Sequence, residues 1–162
     1  MNEVNKLSEK AISNYTVTDG VSLITMDNVP NNSKIISEIF NAIAKQHINI
    51  DMITQSPSYR GILNISFTIP GKDMPKAITA LAKFKKEIPT LRLDIDSNNT
   101  KICISGEGMR TIPGVAANLF TILSSIEIEI KLVTTSETDI SYLVSSEDED
   151  KAIDALKKEY EI

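Results

Sequence analysis

"KIISEIFNAIAKQHINIDMITQS" (residues 34–56) and "GVAANLFTILSSIEIEIKLVTTS" (residues 114–136) carry one pattern at an offset of 80 residues. Ile35, Ile36, Ile39, Phe40 and Ile43 fall on Val115, Ala116, Leu119, Phe120 and Leu123. Ile48, Ile50, Met52, Ile53, Thr54 and Ser56 fall on Ile128, Ile130, Leu132, Val133, Thr134 and Ser136. A gap of five residues then changes the offset to 75, so that Ile65-Ser66 meets Ile140-Ser141 and "KAITAL" (76–81) meets "KAIDAL" (151–156). Matching segments in the same order mark an internal duplication, two modules of about 70 residues each.

Each module reads alike by period. The spacing i, i+1, i+4, i+5, i+8 from Ile35 to Ile43 is one face of an amphipathic helix. Ile48, Ile50 and Met52 alternate with Asn49 and Asp51, the period of a half-buried strand. "PSYRG" (57–61) is turn chemistry, and Leu63, Ile65, Phe67 and Ile69 alternate again, which predicts a hairpin. "PGKDMP" (70–75) breaks that strand, with Asp73 as a candidate N-cap. Pro75 then enters a second helix through Ala77, Ile78, Leu81 and Phe84. With "VSLIT" (21–25) in front and "LRLDID" (91–96) behind, the order is βαββαβ. This predicts an α+β, ferredoxin-like unit: a four-stranded antiparallel sheet with both helices on one face.

The second module lacks its last strand, because its second helix runs through Ala152, Ile153 and Leu156 to the final residues. "AISNYTVT" (11–18), with Tyr15 and Val17 alternating, is expected to complete the second sheet, which removes an exposed edge there. The competing pairing is a hairpin of 11–18 with 21–25 through Asp19-Gly20. The domains are expected at 20–97, and at 11–18 together with 100–162.

Composition narrows the function. Hydrophobic residues at 41% and charged residues at 24% fit a soluble globular chain. No apolar run approaches the roughly 18 residues of a membrane span, and no signal-peptide core is seen, so a cytoplasmic location is expected. A net charge of −5 argues against nucleic acid as a partner. Lys83, Lys85 and Lys86 read as a solvated helix face. The single cysteine, Cys103 in "KICIS", reads as a buried core thiol. His47 is the only histidine and ends a helix, where a dipole-facing or capping role is expected, and one His with one Cys makes no metal cluster. "GEGMRT" (106–111) lacks the third glycine of a dinucleotide loop. "SSEDEDK" (145–151) begins the last helix, where carboxylates suit the positive end of the dipole. No nucleophile–base pair is found and no catalytic residue is assigned. A small acyl-phosphate hydrolase using Arg110 and an Asn is the enzymatic alternative, weakened because the first module has no counterpart of Arg110.

The helix entrances carry the remaining chemistry. The first turn of a helix leaves about four N–H groups without internal partners and bears partial positive charge. Pro113-Gly114 opens the second module's first helix, and a glycine there allows a carboxylate to approach closely. Pro-Gly also serves simply to start a helix. The first module has Ser33-Lys34 in the matching place.

"GMRTIPGVAANLF" (108–120) followed by "IEIKLVTTSETDISYLV" (128–144) resembles the second ACT module of aspartokinases. "INIDMITQS" (48–56) and "NISFTIP" (64–70) resemble the first, and the likeness covers roughly residues 11–160. In that family, ATP-dependent phosphorylation of aspartate begins lysine, threonine and methionine synthesis. A C-terminal ACT pair binds lysine or threonine and inhibits the kinase, and some bacteria make this region as a separate small subunit. The resemblance implies a regulatory region without a kinase domain, with no cofactor of its own, since ATP and magnesium belong to the kinase. It implies an amino-acid effector, a homodimer and a catalytic aspartokinase partner; a structural dimerisation module with degenerate effector sites is the alternative. The implied effector site joins the helix entrance of one module to the second strand of another. Carried over by motif, Asn31, Ser33, Lys34, Ile35, Ile36 and Gln55 would face Glu129 and Ile130, near Val115 and Ala116. The pseudo-symmetric site would join Pro113, Gly114, Val115 and Ala116 to Asn49 and Ile50. The family's Asp-x-Pro-Gly entrance is here Asn31-Asn32-Ser33-Lys34, and Glu129 stands where an Asn is common, so the first entrance is expected to have diverged.

Overall fold

The computed structural model describes residues 11–162. The elements are β1 (Asn14–Pro30), α1 (Ser33–Ala44), β2 (Ile53–Gln55), β3 (Ile62–Pro70), α2 (Met74–Glu87) and β4 (Arg92–Ser105). They continue as α3 (Val115–Ser125), β5 (Leu132–Thr135), β6 (Asp139–Ser145) and α4 (Glu149–Tyr160). Residues divide into two compact units, Gly20–Asn98 and residues 11–19 with Asn99–Ile162.

In the Gly20–Asn98 unit the strand order is β2-β3-β1-β4, with β3 antiparallel to both β1 and β2. Ile24 lies opposite Phe67 and Met26 opposite Ile65, and this face of the sheet meets Ile39 and Ile43 of α1 and Ala77, Leu81 and Phe84 of α2. Each large side chain buried here stabilises the unit by roughly 1.5–3 kcal/mol. Ile78, one of the apolar residues that predict this helix, is 41% exposed. The buried stripe of α2 is Ala77, Leu81 and Phe84, and one residue further round the helix turns the side chain about 100° away from it.

The other unit repeats this arrangement in the order β1-β4-β6-β5. Ile102 lies opposite Tyr142 and Ile104 opposite Ile140, so Tyr142 occupies the place that Phe67 holds in the first unit. Leu119 and Leu123 of α3 and Ala152 and Leu156 of α4 cover the same face. The missing fourth strand is the N-terminal one: the first residues of β1 lie beside β4, and the Ser13 N–H donates to the Ser105 carbonyl at 2.9 Å. The hairpin through Asp19-Gly20 does not form. A tight type I′ turn needs positive φ at both central residues, and only Gly20 has it (+63°), so β1 runs on through the pair.

Three further expectations are corrected. The strand expected from Ile48 shortens to β2, because the Asp51 and Met52 N–H groups both converge on Thr68, one on its carbonyl at 3.1 Å and one on its Oγ1 at 3.0 Å. That convergence interrupts a regular ladder. Asp73 occupies the cap position of α2 without a capping hydrogen bond; it follows a 3-10 turn in a helical conformation and pairs at 3.8 Å with Lys76 instead. Cys103 is only half-buried, since Ile102 and Ile104 take the core face of β4 and alternation turns the thiol to the other side. His47 behaves as expected of a helix end. It is left-handed (φ +57°) and donates to the Ala44 carbonyl at 2.9 Å, and its repeat counterpart Glu127 has the same φ and donates to Ser124 at 3.1 Å.

Candidate functional site

The two helix entrances that the repeat pairs with each other are built differently. At α1, Asn32 is the N-cap, and its Oδ1 accepts from the Lys34 N–H at 2.9 Å and the Ile35 N–H at 3.4 Å. The Ile36 N–H closes the first helical turn on the Asn32 carbonyl at 3.1 Å. The donors that would meet a ligand's carboxylate are thus already engaged by the chain itself. Asn31, next to the cap, is fixed by its N–H to the Gly61 carbonyl (2.9 Å) in the two-residue turn Arg60-Gly61. Both turn residues have positive φ, +50° and +79°, as a type I′ hairpin requires.

At α3 the cap position belongs to Gly114 (φ +89°), which has no side chain to offer. The first intrahelical bond is Asn118 N–H to the Gly114 carbonyl at 2.9 Å, so the N–H groups of Val115, Ala116 and Ala117 precede the ladder and no side chain caps them. Pro113 and Ala116 are exposed, whereas the Val115 side chain is buried and only its backbone can serve a ligand. The approach to this entrance is fixed at its start by Gly106, whose N–H donates to the Thr138 carbonyl at 2.9 Å. Gly106 packs so closely on the residues just before β1 that a Cβ there would lie 1.8 Å from the Ala11 carbonyl oxygen.

The remaining sequence-predicted residues fall into separate places. Asn49 and Gln55 are exposed and Ile50 half-buried in the Gly20–Asn98 unit, with Gln55 on β2 opposite Ile65. Ser33 and Lys34 are exposed in the first turn of α1, with Ile35 and Ile36 packed partly against the core beneath. Glu129 and Ile130 line a shallow pocket of about 420 Å³ together with Phe120, Ser124, Glu127 and Ile128. Phe120 is 45% exposed here, an apolar wall beside two carboxylates. The pocket lies past the C-terminus of α3, whose partial negative charge adds to theirs. A second groove, about 450 Å³, runs between α1 and α2 and includes Glu38, Lys45 and Lys83; none of the predicted site residues lines it.

The capping role of Asn32 and the pocket wall of Phe120 with Glu127 are not among the sequence readings. An Asn just before an apolar-periodic helix is a recognised N-cap signal, so Asn32 was findable. Arg110, the candidate for acyl-phosphate chemistry, is engaged by two carboxylates, with Nε on Glu107 at 3.1 Å and a guanidinium nitrogen on Glu137. Among the described residues, no group of three or more His, Cys, Asp or Glu is placed to hold a metal ion, and no helix is long and apolar enough to cross a membrane.

One further feature of this unit is a buried phenol. The Tyr142 hydroxyl is fully enclosed and has no hydrogen-bond partner among the described residues. Burial, and then the neighbouring Tyr160, push its pKa far above the ordinary tyrosine value. Tyr160 is also raised, chiefly by burial; the Asn118 side-chain amide, which donates to its hydroxyl at 3.3 Å, opposes that shift.

Comparison with known proteins places this geometry. The family model described as "ACT domain" matches residues 21–83 and 102–160. The aspartokinase of Bacillus sp. (strain MGA3) is 30% identical over 160 residues, 99% of this chain and 39% of that protein. Aspartokinase 2 of Bacillus subtilis is 32% identical over 144 residues, 89% of this chain and 35% of that one. The chain therefore spans well under half the length of these curated relatives. Among solved structures, the ligand-free regulatory subunit of aspartate kinase from Thermus thermophilus superposes with a TM-score of 0.84 at 25% identity, covering 93% of this chain and 99% of that one. A crystal structure of aspartokinase alpha and beta subunits matches with a TM-score of 0.84 at 28% identity, covering 94% of this chain and 100% of the matched one.

Proposed function

The chain belongs to the ACT-domain family, as a tandem regulatory region of the aspartokinase type, and from that premise we propose that it binds an amino-acid end product, lysine or threonine, and thereby feedback-inhibits an aspartokinase. The observation that carries this reading is the α3 entrance, with uncapped N–H groups behind a left-handed Gly114. A carboxylate placed there meets partial positive charge and unused donors.

The family's arrangement, entrance against second strand, accounts for the other pole. Glu127 and Glu129 border an apolar wall at the far end of α3, suited to an ammonium group and an aliphatic chain. Helix α3 is about 15 Å long at its rise per residue, so one amino acid cannot reach both ends. Its two ends therefore serve two different sites in an assembly, which fits a homodimer. The ACT domains are proposed at 20–97, and at 11–18 with 100–162. The proposed partner is an aspartokinase catalytic domain or subunit, and a ligand that prefers one arrangement of the modules shifts such a kinase by about 1–3 kcal/mol. The chain itself is proposed to use no cofactor.

A second reading applies to the first entrance. Asn32 occupies the donors of Lys34 and Ile35, so the α1 site is the degenerate one and serves association only. The test is calorimetric titration of the full chain with lysine and with threonine. Saturable binding of either amino acid, lost in Gly114→Ala and retained in Asn32→Ala, is expected. No heat from either amino acid, in a chain that is folded and dimeric by sedimentation, would refute effector binding and leave the structural module.

A further inference from the structure

We propose that Arg110 is a positioning residue, an ionic clasp that sets the α3 entrance against the β5–β6 turn; the inference rests on the reading that this entrance takes an effector's carboxylate. It follows from a difference between the duplicated halves. In the first, β1 ends at Pro30 and α1 begins at Ser33, so the Asn31 N–H bond to Gly61 (2.9 Å) is enough to fix the helix entrance. In the second, β4 ends at Ser105 and α3 begins only at Val115. The matching bond, Gly106 N–H to Thr138 (2.9 Å), fixes the start of residues 106–114 and leaves Pro113-Gly114 well downstream.

Arg110 lies between that first tie and Gly114. It ends the turn Glu107–Arg110 and reaches across to Glu137 in the opposite hairpin, with Glu107 holding its Nε at 3.1 Å. Glu137 is presented by a turn that is itself fixed. The Ser136 N–H donates to the Asp139 carbonyl at 2.9 Å, and the Thr138 and Asp139 N–H groups both donate to Ser136 Oγ at 3.2 Å. The Ser136 hydroxyl in turn donates to the Asp139 carboxylate. A guanidinium fork between two carboxylates is directional as well as charged, which a lysine in its place would not be. The first half has no counterpart of Arg110 and needs none.

All three side chains are largely exposed, so the clasp adds little to global stability. That separates positioning from mere structure. In Arg110→Gln and Glu137→Gln, the amide resonances of Gly114, Val115 and Ala116 are expected to move, while the thermal midpoint stays put. The double variant Arg110→Glu with Glu137→Arg is expected to return them toward wild type. Affinity for whichever of lysine or threonine binds should weaken by roughly 1.5- to fivefold in each single variant and recover in the double. Unchanged amides at Gly114–Ala116 in both single variants, or no recovery in the double, would overturn the clasp. Amides that respond as described in a chain that binds neither amino acid would sustain the clasp and remove the effector reading instead.

Discussion

Replacing Tyr142 by phenylalanine should make this protein more stable. The phenol is fully buried opposite Ile102, its hydroxyl has no partner among the described residues, and the corresponding place in the other half already holds a phenylalanine, Phe67 opposite Ile24. A buried hydroxyl left without a hydrogen bond costs about 1–3 kcal/mol. Removing the oxygen forfeits a handful of dispersion contacts worth about 0.1–0.2 kcal/mol each. The balance favours Tyr142→Phe by about 1–2 kcal/mol, a rise of roughly 2–8 °C in the unfolding midpoint for a chain of this size. The protein has no tryptophan, so far-ultraviolet circular dichroism in urea and in thermal melts is the suitable probe. The variant should also separate from the wild type in alkali. Tyr142 and Tyr160 are held neutral by burial, so above pH 10 the unfolded chain loses protons that the folded chain keeps, and stability falls as pH rises. Each such tyrosine contributes up to about 1.4 kcal/mol per pH unit to that slope, and Tyr142→Phe should remove one share. A destabilisation of 1 kcal/mol or more at neutral pH would show that the hydroxyl is satisfied, and an alkaline slope identical to wild type would show that burial does not hold Tyr142 neutral; either result refutes the reasoning.

Other substitutions test the elements of the site. Asn32→Ala removes the α1 cap and should cost about 0.5–2 kcal/mol by urea unfolding, with Asn32→Gly costing only a few tenths. Gly114→Ala meets no neighbour but forces a left-handed alanine, a cost of about 1–2 kcal/mol read as a lower melting midpoint. Gly106→Ala drives a methyl into the Ala11 carbonyl, so the residues leading into β1 must shift. Hydrogen exchange at Tyr15 and Val17 should accelerate far more than at Ile65 or Phe67.

Much of this was legible in the amino acids, because the duplication lets each half check the other. The stripe from Ile35 to Ile43 and the missing last strand of the second half were enough to place the helices and to assign the N-terminal strand its partner, though that strand begins at Asn14 rather than at residue 11. What was hidden depends on conformation rather than pattern. Asp19-Gly20 has turn composition, but its turn requires a left-handed aspartate that a continuous strand does not supply. The strand expected from Ile48 shortens where Asp51 and Met52 share Thr68 as their backbone partner, two residues against one, and alternation alone cannot show that. Asp73 has the right residue type for a cap and the wrong backbone for it. At the site, Gly114 could be read directly, since an entrance without a side chain is visible in sequence. The engagement of Arg110 by Glu137, 27 positions away, could not be read, because it depends on how two loops of unequal length come together.

The division of β1 between the two units makes Gly20–Asn98 an insertion within the other unit, which draws its strands from both sides of it. Because β1 and β4 are neighbours, folding of the inserted unit brings its own two ends side by side. Before that happens, pairing the N-terminal strand with residues after Asn99 means closing a loop of about 80 residues, an entropic cost about 3 kcal/mol greater than for a short connection. Afterwards the loop is already closed. The insert is thus an internal staple for its host: once folded, it holds side by side the two strands that the host has to pair.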